Sequence, residues 1–187
     1  MAVIVVGGQA KHVGKTKLAC QIISSFPDGH WIAIKIAGHI HQPVGCELRK
    51  ESRGFSIWEQ VERRPPSDTA RFLQAGARRA LLLCASEPNL LDAWTAARAL
   101  APEGTVILES TRAPLFLKPD LFLLVLDPAQ PDYKDSARQQ LGNVDAIVWN
   151  RTPGHVGGAT NVPSFLAQES GLELRLQERI QAIITAS

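Results

Sequence analysis

Residues 7–16 read Gly-Gly-Gln-Ala-Lys-His-Val-Gly-Lys-Thr. A glycine-rich turn ending in Gly14-Lys15-Thr16 can bring backbone N–H groups, an ammonium and a hydroxyl to one point. That combination grips phosphate and holds a hard cation beside it. Lys15 would reach the outer phosphates of a triphosphate chain, and the Thr16 hydroxyl would hold Mg2+. The backbone of Gly8, Lys11, His12, Val13, Gly14 and Lys17 would complete the cradle. The spacing is unusual. The standard motif leaves four residues between its first glycine and the Gly-Lys-Thr. Here Gln9 stands at that glycine's position, and Gly8 precedes Gly14 with five residues between them.

Further along the chain are side chains that could work with this loop. Glu109 closes the apolar run "TVILES". A carboxylate at such a strand end holds Mg2+ directly or through water, or else faces solvent. Asp68, in "SDTARFLQAGA", fits the capping of a helix start. Lys35 lies inside the apolar run "WIAIKIA", where a lysine must snorkel out or meet an anion. An anion role follows, with Lys15, Lys35 and Glu109 as the catalytic set. Arg112 continues "ESTRAP" into a loop, where phosphate contact and plain solvation fit equally. His39, His41 and Cys46 form "HIHQPVGC", residue types suited to a borderline metal but in no standard zinc spacing; a polar substrate-facing loop fits better. Cys20 and Cys84 fall in apolar periodic segments and read as core.

These residues need a frame. "AVIVVG" (2–7) is a continuous β-branched run, the mark of a strand buried on both faces of a parallel sheet. Apolar residues at helical spacing follow over 15–26. Further strands are expected at 31–37, 79–85, 104–110, 120–127 and 144–150, and helices at 67–77, 88–101 and within "DYKDSARQQLG". Residues 38–66 read as one long polar loop, functional or mobile. Near the end, "VPSFLAQES" reads as a short helix, "LELRL" as a strand and "QERIQAIITA" as a closing helix. Strands alternating with helices imply a three-layer α/β/α fold with a largely parallel sheet.

The 187 residues suit one domain over 1–187. A net charge of +2 gives no general affinity for nucleic acid. No apolar run reaches membrane-spanning length, and "MAVIVVGG" lacks the basic flank of a signal peptide. Three widely spaced cysteines fit a reducing cytoplasm better than a disulfide framework.

The loop's spacing resembles that of dethiobiotin synthetase and its P-loop relatives, among them the cobyrinate amidating synthetases, the septum-site ATPases and nitrogenase iron protein. Many of these carry a signature lysine that here is Ala10, with Lys11 one residue further on. The segments "WIAIKIAGHIH", "SDTARFLQAGARRALLL", "TVILES" and "PDLFLLVLD" resemble the family of molybdopterin-guanine dinucleotide biosynthesis protein B (MobB). That resemblance covers roughly residues 2–127. It implies a P-loop fold, a purine triphosphate with Mg2+, an acid from the region of Asp68 approaching that metal, weak NTPase activity and a molybdopterin guanylyltransferase as partner; a homodimer is a further expectation. The dethiobiotin synthetase resemblance implies instead an ATP-dependent ligase acting on a small-molecule acceptor, and a non-catalytic nucleotide-responsive regulator is the third reading. "AIVWNRTPG" resembles the element of those relatives in which an asparagine amide meets adenine. Asn150 and Arg151 therefore join the nucleotide-binding set. Pro153 stands where guanine-selective P-loop proteins have aspartate, so the local residues imply ATP while MobB implies GTP.

Overall fold

The computed structural model describes residues 1–38, 43–64, 66–152, 162–169 and 171–186. Strand β1 (Val3–Gly8) leads through the glycine-rich loop into helix α1 (Lys15–Ser25), followed by β2 (Ile32–Ala37). Then come β3 (Cys46–Ser52), β4 (Phe55–Gln60), α2 (Asp68–Gln74), β5 (Arg79–Ala85) and α3 (Leu90–Leu100). The remainder is β6 (Val106–Glu109), β7 (Leu121–Leu126), α4 (Asp135–Gln140), β8 (Ala146–Trp149), β9 (Ser164–Leu166) and α5 (Leu174–Thr185). All nine strands of the described residues form one sheet in the order β3-β4-β5-β2-β6-β1-β7-β8-β9. Only the β3–β4 and β4–β5 pairs are antiparallel. Every other pairing is parallel.

Two apolar cores sandwich the sheet. One packs Leu18 and Ile22 of α1, Phe72 of α2 and Leu176 and Ile180 of α5 against Ile4, Val6 and Leu123. The other packs Leu90, Ala93 and Ala97 of α3 against Val5, Ile34, Leu81 and Leu108. Alternate residues of one strand thus feed opposite cores, so the central strands are apolar at every position, as expected for a covered parallel sheet. The three-layer α/β/α architecture is the one expected. No helix among the described residues is long and apolar enough to cross a membrane.

Three segments differ from the sequence reading. The polar stretch 38–66 contains the β3–β4 hairpin, closed by Arg53-Gly54 with Gly54 at φ +88°. Its first strand is an exposed sheet edge bearing Glu47, Arg49, Lys50 and Glu51, so its charge masked its conformation. Charged edges of this kind discourage pairing with another chain. Within "VPSFLAQES", residues 164–166 are strand, paired parallel to β8, rather than helix. Most of "LELRL" belongs to α5 rather than to a strand. Its alternation fits a period of two, but Leu172, Leu176 and Ile180 recur at helical spacing and are buried, while Leu174 is 67% exposed.

Candidate functional site

The loop grows out of the carboxyl end of β1, the central strand between β6 and β7. Ligands of open α/β sheets gather at that edge. Two loop glycines have geometric reasons. A Cβ on Gly8 would lie 2.7 Å from Cγ of Lys15 and 2.8 Å from Cδ, so the lysine stem lies directly over this residue. Gly14 caps α1 at φ +101°, a conformation that other residues rarely adopt. His12 also has positive φ, 61°, a strain that recurs at functional loops. No side chain caps α1 and no carboxylate lies in its first turn. Its positive end therefore opens into the loop without a built-in anion.

Gln9 accounts for the odd spacing. It is 1% exposed, and its side chain turns away from the loop cavity. Its Oε1 accepts from the Asp127 N–H at 2.9 Å, and its Nε2 donates to the carbonyls of Gln130 at 2.6 Å and Asp132 at 3.2 Å. The Lys134 N–H donates back to the Gln9 carbonyl. The residue at the usual glycine position thus fastens the loop to the β7–α4 connection. On the other flank, the buried Thr111 hydroxyl accepts from Gly8 N–H at 3.0 Å and donates to Gly8 C=O at 3.1 Å.

Four of the expected side chains meet beside the loop. The Thr16 hydroxyl donates to Glu109 Oε2 at 2.8 Å. The Lys35 ammonium donates to Glu109 Oε1 at 3.1 Å and pairs closely with Asp68. Glu109 is 5% exposed. Burial works against the Asp68 carboxylate, but Lys35 and Thr16 outweigh it and hold its pKa below the ordinary value. Burial likewise opposes the Lys35 ammonium, and Glu109 and Asp68 reverse this and raise its pKa. Lys35 thus supplies a positive charge among a hydroxyl and two carboxylates. That oxygen set fits Mg2+, a hard cation usually bound through one or two carboxylates, phosphates and water. Among the described residues no cluster of three His, Cys, Asp or Glu side chains could hold a metal unaided.

Asp68 reaches this point because α2 is pinned at its start. Ser67 caps the helix by accepting from Ala70 N–H at 3.1 Å. Gln60, at the end of β4 and 3% exposed, accepts from the hydroxyls of Ser67 and Thr69. The hairpin that replaces the expected loop therefore positions a site residue. Gln60 and Thr111 do not stand out in the sequence, and Gln9 does so only as a departure from the motif's glycine, because each acts through its side chain on backbone or cap groups away from it in the chain.

Lys15 donates to the Ala10 carbonyl at 2.7 Å. Its pKa is lowered to about 8, first by burial and then by Lys134 and Lys35, with Glu109 and Asp68 opposing. Together these groups line a cavity of about 780 Å³. Lys11, His12, Gly14 and Lys17 also line it, as do Arg112, Arg71, Lys134 and Ser136. Lys134, Arg71 and Ser136 line the cavity without having been expected there. Gly8 and Val13 enter through the loop backbone and by packing, with Val13 fully buried.

Asn150 and Arg151 lie nearby rather than in this cavity. A Cβ on Gly14 would stand 3.8 Å from Cβ of Asn150. The Asn150 amide is the leading cause that holds the Asp127 carboxyl below its ordinary pKa, outweighing burial, and Arg151 pairs with Asp127 at 3.1 Å. Asn150 Oδ1 is buried without a hydrogen-bond partner among the described residues. Cys46 donates its thiol to Gln60 Oε1, with its pKa raised by burial, in a separate cleft of about 460 Å³. His39, His41 and Pro153 lie outside the described residues. Cys20 packs against the α1-side core, its pKa pushed up to about 11 chiefly by burial, and Cys84 is buried.

A parallel sheet whose central strand feeds a glycine loop and a helix, with a strand-end carboxylate on the loop threonine, defines the P-loop NTPase fold. Solved structures of that class superpose on the chain. ATP-bound LpxK from Aquifex aeolicus has a TM-score of 0.55 and 19% identity, over 89% of this chain and 53% of LpxK. The chain thus spans about half the length of LpxK. A MobB protein homolog from Bacillus stearothermophilus has a TM-score of 0.51 and 14% identity, over 100% of both chains. The Zn(II)-bound YjiA GTPase from E. coli has 0.51 and 14%, over 95% of this chain and 60% of that one. At these identities the likeness is one of fold. No protein-family model matches the chain, and no curated protein matches its sequence.

Proposed function

We propose that this chain is a Mg2+-dependent purine nucleoside triphosphate-binding protein with a slow NTPase activity. The observation that carries the reading is the Thr16–Glu109–Lys35–Asp68 cluster beside the loop. Gly8, Lys11, His12, Val13, Gly14, Lys15, Thr16 and Lys17 form the phosphate cradle. Thr16, Glu109 and Asp68 would hold the metal, whose chemistry there is to neutralise charge developing on the transferred phosphate. Lys15 turns from the Ala10 carbonyl to the outer phosphates. With Asp68 and Glu109 turned to a metal, Lys35 would be free to place its charge beside the transferred phosphoryl group. Glu109 would orient the attacking water or help hold the metal.

The finer reading is an accessory role like that of MobB, helping a molybdopterin guanylyltransferase attach a nucleotide in the cytoplasm, with a homodimer as the working form. It is supported by the full-length superposition on a MobB homolog. A small-molecule acceptor, as in an ATP-dependent ligase, is the second reading, favoured by the basic wall that the cavity carries beyond the loop. Co-purification with a guanylyltransferase, against turnover stimulated by an added acceptor, separates the two.

Lys15 makes binding pH-dependent. Its lowered pKa means that the free lysine loses its charge above a pH of about 8. Phosphate favours the charged form, so binding there must take up a proton. Affinity is full below that pH and falls by about tenfold per unit above it. Dissociation constants measured from pH 6.5 to 9.5, in buffers of different ionisation heats, should reveal this loss together with proton uptake. A flat profile without proton uptake would separate Lys15 from the phosphates.

For the base, the buried Asn150 Oδ1 has no hydrogen-bond donor among the described residues. The adenine N6 amino group supplies one, whereas guanine presents only acceptors on its O6/N7 edge. ATP should bind at least as tightly as GTP, and Asn150→Ala should abolish any preference. Competition titrations of both nucleotides with Mg2+ check this; a parent protein preferring GTP by tenfold would refute it.

A further inference from the structure

The cavity holds more positive charge than one nucleotide uses. Seven lysine and arginine side chains line it against two carboxylates, Asp68 and Glu109, an excess of five. The whole chain carries only +2, so the charge is concentrated here and the rest of the molecule is net negative. A triphosphate carries roughly four negative charges and Mg2+ returns two, so about three positive charges remain uncompensated.

Those charges sit in a particular arrangement. Arg112 follows β6 and Lys134 precedes α4, so they come from loops that flank β1 on either side. Arg112 reaches over the end of β2: its guanidinium lies 3.8 Å from where a Gly38 Cβ would stand. Lys134 is held in place through its backbone by Gln9. Among the described residues neither Arg112, Lys134 nor Lys11 is ion-paired with a carboxylate. Lys134 is instead crowded by like charge. Burial first, then Lys11, Lys35 and Arg112, push its pKa down, and only Glu109 opposes. Like charges gathered in a concave site are relieved by an anion, and they raise its local concentration. Ile36, Ala37 and Gly38 continue the wall beside Arg112 and offer an uncharged surface for an organic body.

We infer that the side chains of Arg112, Lys134 and Lys11 form a second anion subsite in the same cavity, beside the nucleotide's phosphates, for a small molecule that bears a phosphate monoester. The inference rests on the nucleotide reading above. It identifies the second ligand by its charge and not by its skeleton. Arginine grips such a dianion with two parallel N–H donors, and the lysines add point charges.

The test uses the full chain saturated with Mg2+ and a non-hydrolysable ATP analogue. The loaded protein is titrated by calorimetry with glycerol 3-phosphate and, in parallel, inorganic phosphate, against chloride at equal ionic strength. Saturable binding of the monoester, at least as tight as inorganic phosphate, is expected. Arg112→Ala and Lys134→Gln should each weaken it by at least tenfold and change analogue affinity by less than about threefold. Circular dichroism and the retained analogue binding show that the variants are folded. No saturable monoester binding, or binding of inorganic phosphate alone, overturns the subsite. So does a tenfold loss of analogue affinity in both variants, which would assign these cations to the triphosphate. Failure of the parent to bind the analogue is a separate outcome: it removes the nucleotide reading and this inference with it.

Discussion

Lys15→Ala weakens Mg2+–triphosphate binding by at least tenfold. The ammonium would supply charge-assisted hydrogen bonds to the outer phosphates, whose loss without replacement costs about 1.5–3 kcal/mol, or roughly 10- to 150-fold in affinity. Its present partner, the Ala10 carbonyl, is a neutral acceptor that a phosphate oxygen outcompetes. The lysine stem also covers Gly8, so truncation loosens the loop's packing as well as removing a charge. Calorimetry of parent and variant, with thermal melts to establish folding, reads this directly. Equal affinities would mean that the loop does not hold phosphate.

Glu109→Gln has the opposite signature. It should lower Mg2+-dependent hydrolysis by at least a hundredfold while leaving triphosphate affinity within about threefold, since removing one stabilising group at the reacting phosphate typically costs about two to three orders of magnitude. The amide keeps the shape of a side chain that is almost fully enclosed, and Lys35 keeps Asp68 as its partner. What disappears is one of the two charges that would hold the metal. Single-turnover rates at several Mg2+ concentrations test this. Unchanged turnover with unchanged metal dependence would make Glu109 a structural partner of Lys35 and Thr16.

The parts of this site that the sequence reveals are those whose chemistry is local. The loop, its lysine and its threonine are contiguous, and β1 and α1 around them have strong apolar periodicity. Glu109 and Lys35 are legible because a charged residue inside or at the end of an apolar strand needs a partner. Their register partnership across β2 and β6, which brings the two together, follows only from the strand order. Strand β3 is hidden in the sequence because this edge strand carries charge on both faces, so no alternation marks it. The start of α5 was misread because five residues can fit periods of two and 3.6 at once, and only burial of Leu172 and Leu176 decides. Lys134 was missed for a different reason. It lies in a polar connection with no motif around it, and only the Gln9 staple carries that connection to the loop.

The central claim is that this loop holds a triphosphate with its metal on Thr16. A crystal structure of the full chain with Mg2+ and a non-hydrolysable ATP analogue tests it most directly. The account predicts the outer phosphates within hydrogen-bond distance of Lys15 Nζ and the loop amides. It also predicts Mg2+ beside Thr16 Oγ1 and the Glu109 carboxylate, and Lys35 withdrawn from Asp68 toward the γ-phosphate. A nucleotide bound away from the Gly8–Thr16 loop, or phosphates in that loop with Lys35 still bridging Asp68 and Glu109 and no metal at Thr16, would contradict it.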